Sequence, residues 1–359
     1  MSTSDLLRRV RQTRSITLGR GTAAAGAGLR ATVRRAVGGE LDVLVLPDAG
    51  EGGARSGCVH GLAPALREGL IVVSGARAAD VAAAATCREL RAAALGGTPV
   101  GVVAGGEDVL ALLREHDAPV PALGATVGEL GARAVAAEAC FGAAPLIRCL
   151  EQGARWVVAS AGAGLSLYAA PLLWGLGWEL DDHAAVAETT TVGHLLDDGV
   201  AACAHHGTGG WSVSGAAPAG AARAAGPDAR AVAASLRRAG AAGRIATADV
   251  TADLAGARAV AAGRGRVRVA SARGSAPADE LPVLLAVELG RRHGPRAAVG
   301  AAAVVRAGAG SASAGGAGGP RRERRRGAAR AEARRPAATV VRTSLPRAAV
   351  AARVEVVGA

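Results

Sequence analysis

The segment from Trp156 to Trp178 contains no charged residue and has a tryptophan at each end. Its length would suit a membrane-spanning helix, which needs about 20 apolar residues. However, glycines and Pro171 interrupt it, and unbroken apolar runs also mark strands buried in a parallel sheet. We therefore predict a buried strand over 156–160, a glycine-rich turn over 161–164 and a buried helix over 165–176.

The same alternation of short apolar runs and longer helical segments occurs before this region. Strands are predicted over 14–18, 41–46, 70–73 and 100–103, and helices over 24–37, 78–94 and 107–116. Such alternation is typical of an α/β fold. The predicted architecture is a mostly parallel sheet with helices on both faces, plus a smaller C-terminal α/β unit.

Composition shifts suggest three regions in the chain. Residues 1–210 form the predicted main α/β domain, and residues 211–306 form a smaller α/β unit after an Ala/Gly/Pro-rich connection. Residues 307–359 contain a Gly-rich linker and a basic tail, which we expect to be poorly ordered.

Charge and composition exclude several classes of function. From Pro320 onward there are 11 Arg and 3 Glu, so 8 of the 12 net positive charges lie in the tail. That run has no aromatic residue to stack on a base, so we predict no nucleic-acid partner. The chain has no lysine and no asparagine, which excludes a Schiff-base lysine and a P-loop and points to a GC-rich genome.

The cysteines indicate a reducing compartment. Five thiols at wide spacing, with no Cys-x-x-Cys, suit a cytoplasmic protein without disulfides. Cys203-Ala-His205-His206 lacks a second ligand pair at zinc spacing, so no metal is predicted. No cofactor is predicted either.

Two local patterns carry alternatives that remain open. Gly19-x-Gly21-x-x-Ala24, with Asp48 further on, matches a dinucleotide-binding fingerprint, but in a chain this rich in Gly and Ala a tight strand-to-helix turn is the simpler explanation. His194 has acidic residues three and four positions later, which could orient an acid/base imidazole or form a surface pair. Asp181-Asp182 before an apolar helix also reads as an N-cap.

Several stretches resemble the acyclic terpene utilisation (AtuA) family. They include residues 39–46 with Glu51, residues 142–147, residues 192–196 around Gly193 and His194, residues 247–253, and residues 267–274. The resemblance implies a cytoplasmic α/β protein acting with enzymes that degrade terpenols through acyl-CoA intermediates. It implies a small-molecule acyl or terpenoid ligand. No membrane partner is predicted, because residues 156–178 fit a strand and a helix better than a membrane span.

Other stretches depart from the family pattern. The polar motifs expected at residues 74–78, 138–142, 159–164 and 204–207 are replaced, and the 161–164 turn loses an Arg and an Asp. In α/β proteins such loops bind ligands. The losses favour a relative without activity, whereas the retained His194 and Glu51 favour an enzyme with His194, Glu51 and Asp182 as catalytic residues. Arg273, Gly193, Gly19 and Gly21 would bind its substrate.

The alternative hypothesis is a non-catalytic or decayed relative. It would serve as a pathway partner subunit or as part of a homo-oligomer. A second alternative is an NAD(P)-binding α/β protein.

Overall fold

The computed structural model describes residues 3–22, 27–47, 56–76, 78–106, 109–215, 227–239, 243–263, 265–270, 272–288, 338–346 and 352–358. Contacts divide the chain into two compact units. The first comprises Met1–Glu107, Glu138–Val283 and Ser344–Ala359, and the second comprises Asp108–Ala137 and Leu284–Thr343.

The elements of the first 140 residues alternate between helices and strands. They are α1 (Thr3–Thr13), β1 (Ile16–Arg20), α2 (Ala27–Val37), β2 (Val43–Leu46), α3 (Ser56–Glu68), β3 (Ile71–Ala76), α4 (Ala79–Ala92), β4 (Pro99–Gly105), α5 (Leu110–Glu115), β5 (Pro119–Val120), β6 (Ala125–Thr126), α6 (Val127–Leu130) and β7 (Ala134–Ala139).

The remaining elements include more strands than helices. They are α7 (Ala144–Glu151), β8 (Trp156–Ser160), α8 (Ser166–Leu176), α9 (His183–Asp197), β9 (Cys203–Gly207), β10 (Gly210–Ser214), α10 (Ala229–Arg238), β11 (Arg244–Ala246), β12 (Thr251–Asp253), β13 (Arg258–Ala261), β14 (Arg266–Ala270), β15 (Arg273–Ser275), β16 (Glu280–Glu288), β17 (Ala338–Pro346) and β18 (Ala352–Gly358).

The first unit is built on a ten-stranded sheet. Its order is β13-β14-β10-β9-β1-β2-β3-β8-β4-β18. The five strands from β1 to β4 in this order are parallel, and the outer strands on both sides are antiparallel. A second sheet, β11-β12-β15, contains three short antiparallel strands.

Helices cover both faces of the parallel strands. In β2, Val43 and Val45 belong to the core that includes α8 and α9, whereas Leu44 and Leu46 belong to the core that includes α3 and α4. All four side chains are fully buried. This explains the unbroken apolar run, because a strand buried on both faces has no polar side to show. The predicted α/β class is therefore confirmed.

Residues 156–178 fold as predicted. The strand β8 lies in the interior of the sheet between β3 and β4, and α8 follows after a short 3-10 turn. No helix in the described part of the chain is long and apolar enough to cross a membrane.

The second unit is smaller. It contains α5, the short β5–β6 hairpin and α6, whose N-terminus carries a capping box between Thr126 and Glu129. A further three-stranded sheet has the order β17-β16-β7.

Two features differ from the sequence-based expectation. Residues 203–214 form the β9–β10 hairpin, so the ten-stranded sheet continues across the boundary that we placed after residue 210. Residues 352–358, expected in a poorly ordered tail, pair with β4 along its whole length. The Val354-Glu355-Val356 alternation supplies the reason, since both valines pack against the core. Residues 308–335, the centre of the expected tail, lie outside the described residues.

Candidate functional site

Three of the four stretches that depart from the AtuA pattern meet at one edge of the sheet, whereas residues 204–207 lie on β9. Ala76, at the end of β3, is in register with Ser160, at the end of the neighbouring parallel strand β8. The loops that follow both strands therefore leave the sheet at its carboxyl edge. Ser160 also donates a hydrogen bond to the Gly105 carbonyl at the end of β4 (3.1 Å). Ligands of open α/β sheets bind at this edge.

Glu138 closes the turn after β8. One of its carboxylate oxygens accepts a hydrogen bond from the Gly162 main-chain N–H at 2.5 Å. A Cβ atom on Gly162 would lie only 2.2 Å from the Ala139 carbonyl oxygen. The two loops are therefore in direct main-chain contact, which only glycine at position 162 permits.

Asp249 brings a second carboxylate to this edge. Its Oδ2 accepts hydrogen bonds from the Ala143 N–H (2.8 Å) and from the Ser166 hydroxyl (3.4 Å). Ala143 precedes α7, so the carboxylate lies at the positive end of a helix dipole. A Cβ on Gly142 would be 2.0 Å from Asp249 Oδ1, so the carboxylate packs directly against the main chain of Gly142.

Arg20 provides a cation where β1 ends. The fully buried Tyr168 donates its hydroxyl to Asp197 Oδ1 (3.2 Å), and the Arg20 guanidinium lies beside the same phenol. Burial, followed by the charge of Asp197, raises the pKa of Tyr168, and Arg20 opposes this only in part. Tyr168 is therefore a neutral hydrogen-bond donor at every physiological pH.

His194 bridges two helices. Its Nε2 lies 3.4 Å from the hydroxyl of Ser235 on α10, and that hydroxyl donates to Asp198 at 2.6 Å. Burial lowers the pKa of His194, and the nearby Asp198 carboxylate offsets part of this effect. Ser235 is fully buried and gives its proton to the carboxylate, so this Ser-His-Asp set is not arranged as a nucleophile and its base.

Asp182 and Arg273 lie away from His194. Asp182 is the N-cap of α9, where it accepts a hydrogen bond from the Ala185 N–H (3.1 Å). His194 lies twelve positions further along the chain, which corresponds to about 18 Å along the helix axis. Arg273 is exposed on β15, beside Gly274, whose missing side chain makes room for the His183 carbonyl. The structure thus places Asp182 and Arg273 near the start of α9 and His194 near its end.

The proposed binding glycines contact other parts of the protein. Cβ atoms on Gly19 and Gly21 would lie 2.7 Å from Leu41 and 2.5 Å from Thr32, and one on Gly193 would lie 3.0 Å from Tyr168 Cβ. These approaches explain the glycines by the packing of strands and helices. Glu51 lies outside the described residues, as do Asp48 and Ala24 of the dinucleotide fingerprint.

Other chemistry is limited in the parts of the chain that the structure describes. No group of three His, Cys, Asp or Glu side chains there could hold a metal ion. All five cysteines are free of disulfides, and burial raises the pKa of Cys58 and Cys149 to about 11. Those two thiols are therefore protonated at neutral pH and poor nucleophiles.

A cleft of about 270 Å³ lies at the C-terminal ends of α7 and α8. Its walls combine apolar side chains with two arginines and two glutamates: Ile147, Leu173, Trp174, Trp178, Leu180, Arg11, Arg148, Glu151 and Glu179. The two positive and two negative charges balance, so the cleft does not favour either an anionic or a cationic ligand.

Comparison with known proteins identifies the central part of the chain. Residues 59–227 match the model of the acyclic terpene utilisation family protein AtuA. These residues belong to the AtuA family. No curated protein and no solved structure matches the chain significantly.

The AtuA segment runs from α3 to beyond β10 and includes all three of the loops that meet at the carboxyl edge. Asp249 lies outside it. Sequence reasoning did not assign Glu138 or Asp249 to the site, although both were inside stretches compared with the family. The signal was available for Asp249, since residues 247–253 resemble the family, but only the fold brings this aspartate to α7.

Proposed function

We propose that this AtuA-family chain takes part in the cytoplasmic catabolism of acyclic terpenes or branched acyl-CoA compounds. Its ligand would be a terpenoid acid or the corresponding acyl-CoA. The observation that carries the proposal is the meeting of three AtuA-segment loops at the carboxyl edge of β3, β4 and β8.

The carboxyl edge offers chemistry suited to such a ligand. Arg20 supplies a guanidinium for a carboxylate or phosphate, and Glu138 and Asp249 supply carboxylates. His194 and Glu51 remain the proposed proton-transfer groups from the sequence. Asp182 lies about 18 Å from His194 along α9, and Arg273 lies beside the start of that helix, so neither would share a catalytic centre with His194.

A second candidate function has its own support. Glu138 and Asp249 already hold the main-chain N–H groups of Gly162 and Ala143, and Gly142 and Gly162 leave no space beside them. Carboxylates occupied in this way stabilise a loop. This arrangement favours a non-catalytic relative that serves a pathway enzyme as a partner subunit.

A deletion of the gene tests the pathway. The strain should fail to grow on citronellol or geraniol and grow normally on acetate, and the intact gene should restore growth. Normal growth of the deletion strain on both terpenols would contradict the proposed function.

Complementation with variants separates the two candidates. If the edge is a ligand site, Arg20→Gln should abolish growth on terpenols and weaken binding of geranoyl-CoA to the purified protein at least tenfold. Glu355→Gln, an exposed carboxylate on β18, is the control. If Arg20→Gln restores growth fully and the wild-type protein does not bind geranoyl-CoA, the partner-subunit function is favoured.

A further inference from the structure

One face of the outer strands β10 and β14 is open to solvent. In β14, Val267 and Val269 are buried in the core, while Arg266, Arg268 and Ala270 point to the opposite face and are exposed. The neighbouring strand β10 alternates in the same way, with Ser212 and Ser214 on the open side. Helices therefore cover only one face of this part of the sheet.

The registers align the exposed side chains in rows across the strands. Val260 pairs with Arg268, which pairs with Ser212, and Ser212 pairs with His205. In the next row, Arg266 pairs with Ser214. Arg258 lies two residues before Val260 and faces the same side. We call this surface, formed by Arg258, Val260, Arg266, Arg268, Ser212 and Ser214, the arginine face.

The arginine face is strongly positive. Arg258, Arg266 and Arg268 are all exposed, and none makes an ion pair or side-chain hydrogen bond within the residues that the structure describes. Neither β9, β10, β13 nor β14 contains an Asp or Glu. Among the described residues, Asp42 acts on His205 and Glu40 acts on Cys203, and both carboxylates lie toward β1.

The same region ends in an edge strand. β13 is the last strand of the sheet, and Val260 at its centre is 59% exposed. The Ala262 N–H donates to the Arg266 carbonyl (2.9 Å), so the alternation along the strand turns the N–H groups of Ala259 and Ala261 away from β14. Such an edge accepts an added strand.

We propose that the arginine face and the β13 edge bind an acidic, extended segment of a partner protein, which adds to the sheet beside β13. Its carboxylates would pair with Arg258, Arg266 and Arg268, since guanidinium groups bind carboxylates through two parallel hydrogen bonds. This surface goes beyond the proposed function, because it is required neither for ligand binding nor for catalysis.

Charge decides between the possible occupants. A second copy docked through the same edge would place its own arginines against these, because a two-fold contact matches each patch with itself. A nucleic acid would find no aromatic side chain on β13 or β14, since every Phe, Trp and Tyr lies between Phe141 and Trp211. An acidic polypeptide satisfies both the charge and the free backbone groups.

The test measures binding of a fluorescent octapeptide of alternating Glu and Val to the full-length protein at low salt. We expect affinity that falls as salt is added, and no binding of the matching Lys and Val peptide. The triple variant Arg258→Gln, Arg266→Gln, Arg268→Gln should lose at least tenfold in affinity. The matched control is Arg230→Gln, Arg237→Gln, Arg244→Gln, which removes the same charge from exposed sites elsewhere and should change affinity less than twofold.

Ala261→Pro tests the added strand separately. It removes an outward N–H and keeps all three arginines, so binding should fall while the thermal midpoint stays within a few degrees of wild type. Unchanged peptide binding by this variant would overturn the strand addition.

Three further results would overturn the proposal. One is an equal loss of affinity in the two triple variants. Another is binding of deca-thymidylate with the same dependence on the arginine face. The third is a concentration-dependent dimer that the first triple variant abolishes.

Discussion

At the scale of single residues, glycines and carboxylates determine the shape of the carboxyl edge. Gly142 and Gly162 permit contacts that any side chain would block, and Asp249 and Glu138 hold the loops by their main-chain N–H groups. The sequence shows these glycines among 52 in total, so composition alone does not single them out. Their importance depends on neighbours that are distant in the chain.

Gly162→Ala should destabilise the protein. Its Cβ would overlap the Ala139 carbonyl oxygen, which belongs to the backbone and cannot move aside at low cost. We expect a loss of about 1–3 kcal/mol, measured by urea unfolding. Gly97→Ala is the control, because the space that its Cβ would enter has no neighbour within 4 Å, and stability should change by less than about 0.5 kcal/mol. Equal unfolding midpoints for the two variants would contradict the packing.

Because His194 is largely buried, the stability of the folded protein should depend on pH. Burial lowers its pKa in the folded protein below the ordinary value of 6.5, so protonation favours the unfolded chain. The stability present above about pH 6.5 should therefore decrease as the pH falls through the folded-state pKa. In His194→Gln, the thermal midpoint should change less between pH 7 and pH 5 than it does in the wild-type protein.

A second histidine contributes to the same pH profile. His205, whose pKa burial also lowers, should leave a residual slope in His194→Gln. A profile of His194→Gln identical to wild type would show that this imidazole does not titrate with folding.

At the scale of elements, the helices and strands of the parallel half follow from local patterns. In that half, β8 and α8 lie where the sequence predicts them. Three elements were not predicted from the sequence: α1, α3 and the β9–β10 hairpin. The hairpin turn at 208–209 lacks the Asn-Gly or Asp-Gly signal, and Cys203–His206 drew attention to metal binding instead.

Substitutions of Asp182 distinguish a role in stabilising α9 from a role in catalysis. As the N-cap of α9 it accepts the Ala185 N–H, and Asn can do the same without charge. Asp182→Ala should cost about 0.5–2 kcal/mol in unfolding free energy, and Asp182→Asn only a few tenths. A loss of terpenol growth in Asp182→Asn at full stability would instead support a role in chemistry.

At the scale of the whole molecule, residues near the end of the chain complete the large sheet. β18 covers the free edge of β4, and its Val354 and Val356 pack against the core. An apolar strand such as β4 would otherwise expose a row of free N–H and C=O groups. The C-terminal strand thus protects the first unit.

Val356→Asp should therefore destabilise the first unit, because it puts a charge against the core. We expect a loss of about 1–3 kcal/mol, with faster hydrogen exchange in β4. Glu355→Gln changes an exposed side chain of the same strand and should leave both measurements unchanged. Normal protection of β4 in Val356→Asp would show that β18 does not hold this edge.

The sequence by itself determined the α/β class, the interior strand β8 and the family of the central segment. Each follows from local information: apolar runs, glycine turns and short motifs. Only the tertiary structure decided that Glu138, Gly162 and Asp249 meet, that His194 faces Ser235, and that three arginines share one open face. The physical reason is that strand order and register set these contacts, and both depend on pairing between segments far apart in the chain.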